Sequence, residues 1–207
     1  MRIEIVIFDG FDELDALGPF EALTSAGAPF EVALVGADGA GEVRGDHGLR
    51  LVVDAGLGSP DAVIVPGGGW LDRAEAGSWA QAQRGALPAK LAELAPTLQW
   101  TASVCTGAML LNKAGLLRGR TATTNRNAQD ELAATGVTVL PNRVVDDGNI
   151  VTAGGIICGI DLALWLIERE ADAELAERVA FGLEYVAQRD VWQRPAVTAS
   201  GPLADRG

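Results

Sequence analysis

Cys105 stands between an apolar run, Leu98-Gln99-Trp100-Thr101-Ala102-Ser103-Val104, and the helix-forming stretch Thr106-Gly107-Ala108-Met109-Leu110-Leu111. The run reads as a strand, so the thiol falls on a strand-to-helix turn, a nucleophile elbow. A helix N-terminus presents unpaired backbone N–H groups and the positive end of the helix dipole, which favour the thiolate and lower its pKa below the reference of about 8.5. In the same turn the backbone N–H of Thr106 is sited to stabilise negative charge on a substrate. Small residues at Gly107 and Ala108 keep the turn tight. A free cysteine is more often an inert core residue; position and flanks favour the nucleophile here.

A carboxyl near that thiol would supply acid–base chemistry. Asp12, Glu13 and Asp15 follow the first apolar run, which reads as a strand, and so lie at the carboxyl edge of a sheet. Asp12 and Glu13 fit a helix cap or a solvated acidic loop, and Asp15 is the candidate general acid or base. Gly67-Gly68-Gly69 also follows an apolar strand, where a side-chain-free backbone can approach a substrate or simply turn. Trp70 and Leu71 behind it fit a pocket wall or an interface. His47, the sole histidine, sits between Asp46 and Gly48 at a hairpin tip and reads as a surface residue, which leaves a Cys–His mechanism without its base. Cys158, among apolar residues and glycines, reads as a packed small side chain, with a resolving-thiol role open.

These residues need elements to hold them. Ile3 to Phe8, Phe30 to Val35, Ala62 to Val65 and Leu98 to Val104 read as strands, and Val43 to Val53 as a hairpin-like excursion. A short helix is expected over Phe20 to Ala26, after Gly18-Pro19 and ending at Gly27. Trp79 to Ala95 has the composition of a surface helix broken at Pro88. Ile160, Ala163, Leu164 and Ile167 share one helix face, as do Ala176, Val179, Ala180 and Leu183. Apolar strands alternating with helices predict an α/β fold with a mostly parallel sheet covered on both faces. One domain over 1–188 is expected, with 189–207 as a loose tail.

Composition narrows the partners. Among 207 residues, 16 Lys and Arg face 28 Asp and Glu, a formal charge of -12 that repels phosphate backbones and anionic membrane surfaces. Neither nucleic acid nor membrane is expected as a partner. Glu4 interrupts the N-terminal apolar run, which fits neither a signal peptide nor a spanning helix, so a cytoplasmic location is expected. Two cysteines and one histidine cannot build a Cys/His zinc cluster, and no metal is expected.

Four blocks are similar to the ThiJ/PfpI superfamily over Ile3 to about Val186. They are Leu14-Asp15-Ala16-Leu17-Gly18-Pro19-Phe20-Glu21, Val65-Pro66-Gly67-Gly68, Ser103-Val104-Cys105-Thr106-Gly107-Ala108, and Ala153-Gly154-Gly155-Ile156 leading into Gly159 to Leu164. Gly115 to Thr124 also resembles the family. The resemblance implies a flavodoxin-like sandwich. Leu-Asp before Gly-Pro, with Cys-Thr-Gly at the nucleophile, resembles the branch holding isonitrile hydratase and the ligand domains of AraC-like regulators; the chain after the last core helix is too short for the regulators' helix-turn-helix module. Within the superfamily, glyoxalase III and PfpI-type proteases use a Glu, and often a His after the Cys, where this chain has Asp15 and Thr106. Asn125, where relatives commonly have His, and Ile157, where they have Ser or Thr, depart from the pattern.

The resemblance implies hydration of an isonitrile through a cysteine thioimidate. Cys105, Asp15 and Thr106 are the implied catalytic residues, Gly67, Gly68, Gly154 and Trp70 the substrate contacts. The chemistry requires no cofactor. A small-molecule substrate and a close homodimer are implied. Two alternatives stay open: a glyoxalase or glycation-repair enzyme acting on small carbonyls, and a redox sensor that oxidises Cys105 to a sulfenic acid.

Overall fold

The N-terminal apolar run forms β1 (Arg2–Ile7) and occupies an interior position of the sheet, which is why all of it past Arg2 is buried. The computed structural model describes residues 1–195. After β1 come α1 (Glu13–Ala26), β2 (Glu31–Gly36), an antiparallel pair of β3 (Gly41–Arg44) and β4 (Arg50–Val53), and β5 (Ala62–Val65). Next are α2 (Ser78–Arg84), α3 (Ala86–Leu94), β6 (Trp100–Val104) and α4 (Gly107–Lys113). A small excursion of β7 (Thr121–Ala122), α5 (Gln129–Ala133) and β8 (Thr138–Val139) precedes β9 (Val144–Asp146) and β10 (Ile150–Ala153). The described chain closes with α6 (Cys158–Glu170), α7 (Ala173–Gly182) and β11 (Val191–Gln193).

Among the described residues the main sheet has seven strands, in the order β11-β9-β10-β6-β5-β1-β2. Only the β9–β10 pair is antiparallel. Helices α1, α6 and α7 pack together as one layer and α2, α3 and α4 as another, so the parallel strands are covered on both faces. The α/β, flavodoxin-like architecture implied by the sequence is the one observed. β5, β6 and β10 are buried along their whole length, as continuous apolar strands in such a sheet must be.

Three elements differ from the sequence pattern. Helix α1 begins at Glu13, seven residues before the expected Phe20, with Asp12 as its N-cap: Oδ1 accepts from the Leu14 N–H at 3.1 Å. Pro19 lies inside this helix, where its missing N–H forgoes the bond to the carbonyl of Asp15 four residues back. The break in the 79–95 segment comes at Gly85, left-handed at φ 79°, and Pro88 sits in the first turn of α3, where helical N–H groups have no partner anyway. The tail expected from residue 189 contains β11, whose three residues pair parallel with β9. Its remainder, 196–207, lies outside the described residues.

Candidate active site

β6 lies between β5 and β10 with both neighbours parallel, so three strands end side by side at one edge of the sheet. Those ends carry Cys105 after β6, Pro66-Gly67-Gly68 after β5 and Gly154-Gly155 after β10. β1, beyond β5, ends at the same edge and delivers α1, with Asp15 in its first turn. Sequence-distant residues therefore meet because parallel topology aligns carboxyl ends, the usual location of ligand sites in open α/β sheets.

The glycine turn holds the carboxyl. Asp15 is fully buried, and its Oδ2 accepts from the Gly67 N–H at 3.0 Å, while among the described residues no hydrogen bond of good geometry reaches Oδ1. A Cβ at Gly67 would collide with Oγ1 and N of Thr106 and come within 3.1 Å of Asp15 Oδ2. The Gly68 N–H donates to Thr106 Oγ1 at 3.1 Å, and the Gly68 carbonyl accepts from Ser78 Oγ at 2.7 Å. With the Ser78 proton committed to Gly68, the Thr106 hydroxyl donates to Ser78 Oγ across 3.1 Å. The amides of Gly67 and Gly68 and the hydroxyl of Thr106 are thus spent on fixing the turn. These groups position the carboxyl; the backbone N–H of Thr106 faces the thiol and favours its ionised form.

Cys105 has a left-handed backbone, φ 54°, uncommon for a side-chain-bearing residue and costing of order 1–3 kcal/mol. Neighbours hold it there. The Cys105 N–H donates to the Gly154 carbonyl at 2.9 Å, and Thr124 Oγ1 donates to the Cys105 carbonyl at 2.8 Å. Gly154 in turn donates its N–H to the Arg143 carbonyl at 2.9 Å, so both of its backbone groups are structural. Gly107 permits the close approach of α4 to β5, since a Cβ there would strike the Val65 carbonyl.

Asn125 is the residue whose part the sequence left unread. Its Nδ2 donates to Cys105 Sγ at 3.2 Å, while its Oδ1 accepts from the Asn127 N–H at 3.0 Å and so fixes which end of the amide faces the sulfur. The motif departure marked the position, but only the three-dimensional contact gives it a function.

Electrostatics correct the expectation of a freely ionised thiol. Burial, then the charge of Asp15, push Cys105 up to about 12, against the opposing donors Asn125 and Thr106. Burial and the charge of Asp12 raise Asp15 well above the ordinary carboxyl range, opposed by the Gly67 amide and the Cys105 thiol. Each group is thus costly to ionise while the other is charged, and the pair retains at least one proton at neutral pH. A thiol and a carboxyl that share a proton in one pocket can add sulfur to an electrophilic carbon and protonate the adduct there.

Trp70 is buried, stacked edge-on against Trp79 at 5.2 Å, with Nε1 donating to Glu131 Oε2 at 3.0 Å. Arg73 lies over both rings and pairs with Glu131 at 3.0 Å, so this cluster ties the loop after the glycine turn to α5. His47 is exposed and pairs with Glu13, joining the β3–β4 hairpin to α1. Cys158 is a buried free thiol whose Sγ lies 3.3 Å from where a Gly154 Cβ would be. Among the described residues no cluster of His, Cys, Asp and Glu could hold a metal, and no helix is long and apolar enough to cross a membrane.

An open cleft of about 500 Å³ adjoins Cys105 through Thr124, Asn125 and Gly154, and continues past Ile157 and Cys158. A cysteine on a strand-to-helix turn, at the carboxyl edge of a doubly covered parallel sheet and beside a buried carboxyl, places the chain in a class of flavodoxin-like α/β proteins. The chain belongs to the DJ-1/PfpI family, which matches residues 1–169. It is 33% identical to isonitrile hydratase of Pseudomonas putida over 188 residues, 89% of this chain and 78% of that one. Among solved structures, a ThiJ/PfpI family protein of Pseudomonas syringae superposes with a TM-score of 0.80 at 27% identity, covering 97% of this chain and 78% of the other. Oxidised DJ-1 of Toxoplasma gondii superposes with a TM-score of 0.76 at 25% identity, covering 89% and 98%.

Proposed function

We propose that the protein hydrates isonitriles to N-substituted formamides. What carries this reading is the buried Asp15–Cys105 pair, which keeps a proton beside the sulfur, in a chain 33% identical to an isonitrile hydratase. The terminal isonitrile carbon accepts the sulfur lone pair of Cys105, forming the S–C bond, and takes its proton from Asp15 to give a thioimidate. Water then adds across the C=N bond: its oxygen bonds to carbon and one of its protons reaches nitrogen. Collapse breaks the S–C bond, the remaining hydroxyl proton returns to Asp15, and the formamide leaves. Asn125 Nδ2 and the Thr106 N–H steady negative charge on sulfur at the start and at its release, and the Gly67–Gly68 turn keeps Asp15 in place.

The test is loss of the isonitrile infrared stretch with chromatographic detection of the formamide, for wild type, Cys105→Ala and Asp15→Asn. Turnover by wild type and its absence in both variants supports the reading; no turnover on several isonitriles by folded wild type ends it. A homodimer belongs to the same proposal. Leu14, Ile156 and Ile157 expose apolar side chains about the N-terminal ends of the packed helices α1 and α6, and sedimentation equilibrium tests whether a second copy covers them.

A further inference from the structure

The cleft beside Cys105 has a charge opposite to that of the molecule. The chain has 28 acidic residues and a net charge of -12, yet among the described residues no Asp or Glu lines this cleft, while Arg126 and Arg143 do. The two cations are not equivalent. Arg143 gives Nε and Nη2 to Asp161, which neutralises it. Arg126 is exposed and makes no ion pair among the described residues, and it follows directly on Asn125, whose amide touches the nucleophilic sulfur. Ile156 and Ile157 add apolar surface to the same cleft.

We infer that the cleft receives substrates whose organic group ends in an anion, a carboxylate by preference, paired with Arg126 while the reacting carbon lies at Cys105. This deepens the hydratase reading and takes its reaction from it. An acidic protein would otherwise repel such a molecule, so an unpaired guanidinium in a cleft free of carboxylates selects by charge at the point of entry.

Two probes separate the charge preference from the chemistry. Iodoacetate and iodoacetamide are of similar size, differ in charge, and alkylate a thiol by the same displacement of iodide. The ratio of their rates at Cys105, followed by mass spectrometry of the Cys105 peptide, should fall about threefold in Arg126→Gln, the worth of one exposed charge pair. Arg50→Gln, on β4 and outside the cleft lining, should leave the ratio unchanged. With isonitriles, a carboxylate-bearing compound should exceed its methyl ester in kcat/KM, and Arg126→Gln should erase the difference. A haloacetate ratio indifferent to Arg126 overturns the inference. Turnover with equal preference for acid and ester also overturns it and leaves the hydratase reading standing. An Arg126-dependent haloacetate ratio without turnover of any isonitrile retains the anion site and removes the hydratase reading.

Discussion

Burial makes Asp15 and Cys105 reluctant to ionise together, and two measurements follow from the signs. The Asp15 charge is among the causes that raise the Cys105 thiol, whereas the Asn125 amide lowers it. Asp15→Asn should therefore bring the onset of Cys105 alkylation by iodoacetamide to lower pH, and Asn125→Ala should send it higher. A shift in the same direction for both variants would contradict the assignment. Activity should move differently: under the proposed hydration Asp15→Asn removes the proton donor, and kcat should fall on the order of 100-fold or more. Stability carries its own sign. A carboxyl raised in the folded state holds a proton that the unfolded chain has already released, so its contribution is complete below the unfolded pKa and drains away as pH rises. Asp15→Asn should then unfold at higher urea than wild type at pH 8, with the gap closing toward pH 4. The site thus trades fold stability for a retained proton.

At the scale of elements, the site is an alignment of strand ends. Cys105, Asp15 and the Gly67-Gly68 turn were legible in the sequence because apolar runs stopping at Gly, Cys or Asp mark the carboxyl edge of a parallel sheet. The detailed roles were not. Whether Gly68 meets a substrate or a threonine depends on hydrogen bonds between residues dozens of positions apart, and Thr106 and Ser78 capture it here. Trp70 looked like pocket or interface from its sequence neighbours, but Glu131, 61 residues away, claims its indole N–H. The start of α1 was obscured by Gly18-Pro19, normally a stop, which the fold accommodates at a position facing α6. Gly67→Ala tests the turn directly. The added methyl overlaps Thr106 and crowds Asp15, a clash of the kind that costs about 1–3 kcal/mol and moves neighbouring groups. Its expected mark is a fall in kcat greater than any change in KM, together with an altered pH onset of Cys105 alkylation. Ser78→Ala removes the link between the Gly68 carbonyl and Thr106 and should do the same more weakly, at about 1 kcal/mol.

Across the whole molecule, the sheet's far edge depends on residues that the sequence leaves unmarked. Val191-Trp192-Gln193 is too short and too mixed to announce a strand, and its neighbours Pro195, Ser200 and Pro202 point to a loose end. Specific partners order it all the same. β11 pairs with β9, Arg194 gives two hydrogen bonds at 2.7 and 2.8 Å to the buried Asp147, and Asp190 accepts from the Arg143 N–H. Just upstream, Tyr185 and the Gln188 N–H reach Asp161, the same carboxylate that neutralises Arg143 at the cleft. The closing segment therefore connects the sheet edge to a wall of the candidate site. Removing residues 190–207 exposes the β9 edge and takes Arg194 from Asp147 and Asp190 from the 142–143 turn, while among the described residues nothing removed hydrogen-bonds to Asp15 or Cys105. The truncated protein should melt several degrees below the intact chain while its Cys105 keeps the wild-type pH profile of alkylation by iodoacetamide. An unchanged melting temperature would mean that β11 contributes nothing to the sheet. A changed Cys105 profile would mean that coupling through Arg143 and Gly154 reaches the nucleophile itself, since the Arg143 carbonyl holds the Gly154 amide and the Gly154 carbonyl holds that of Cys105.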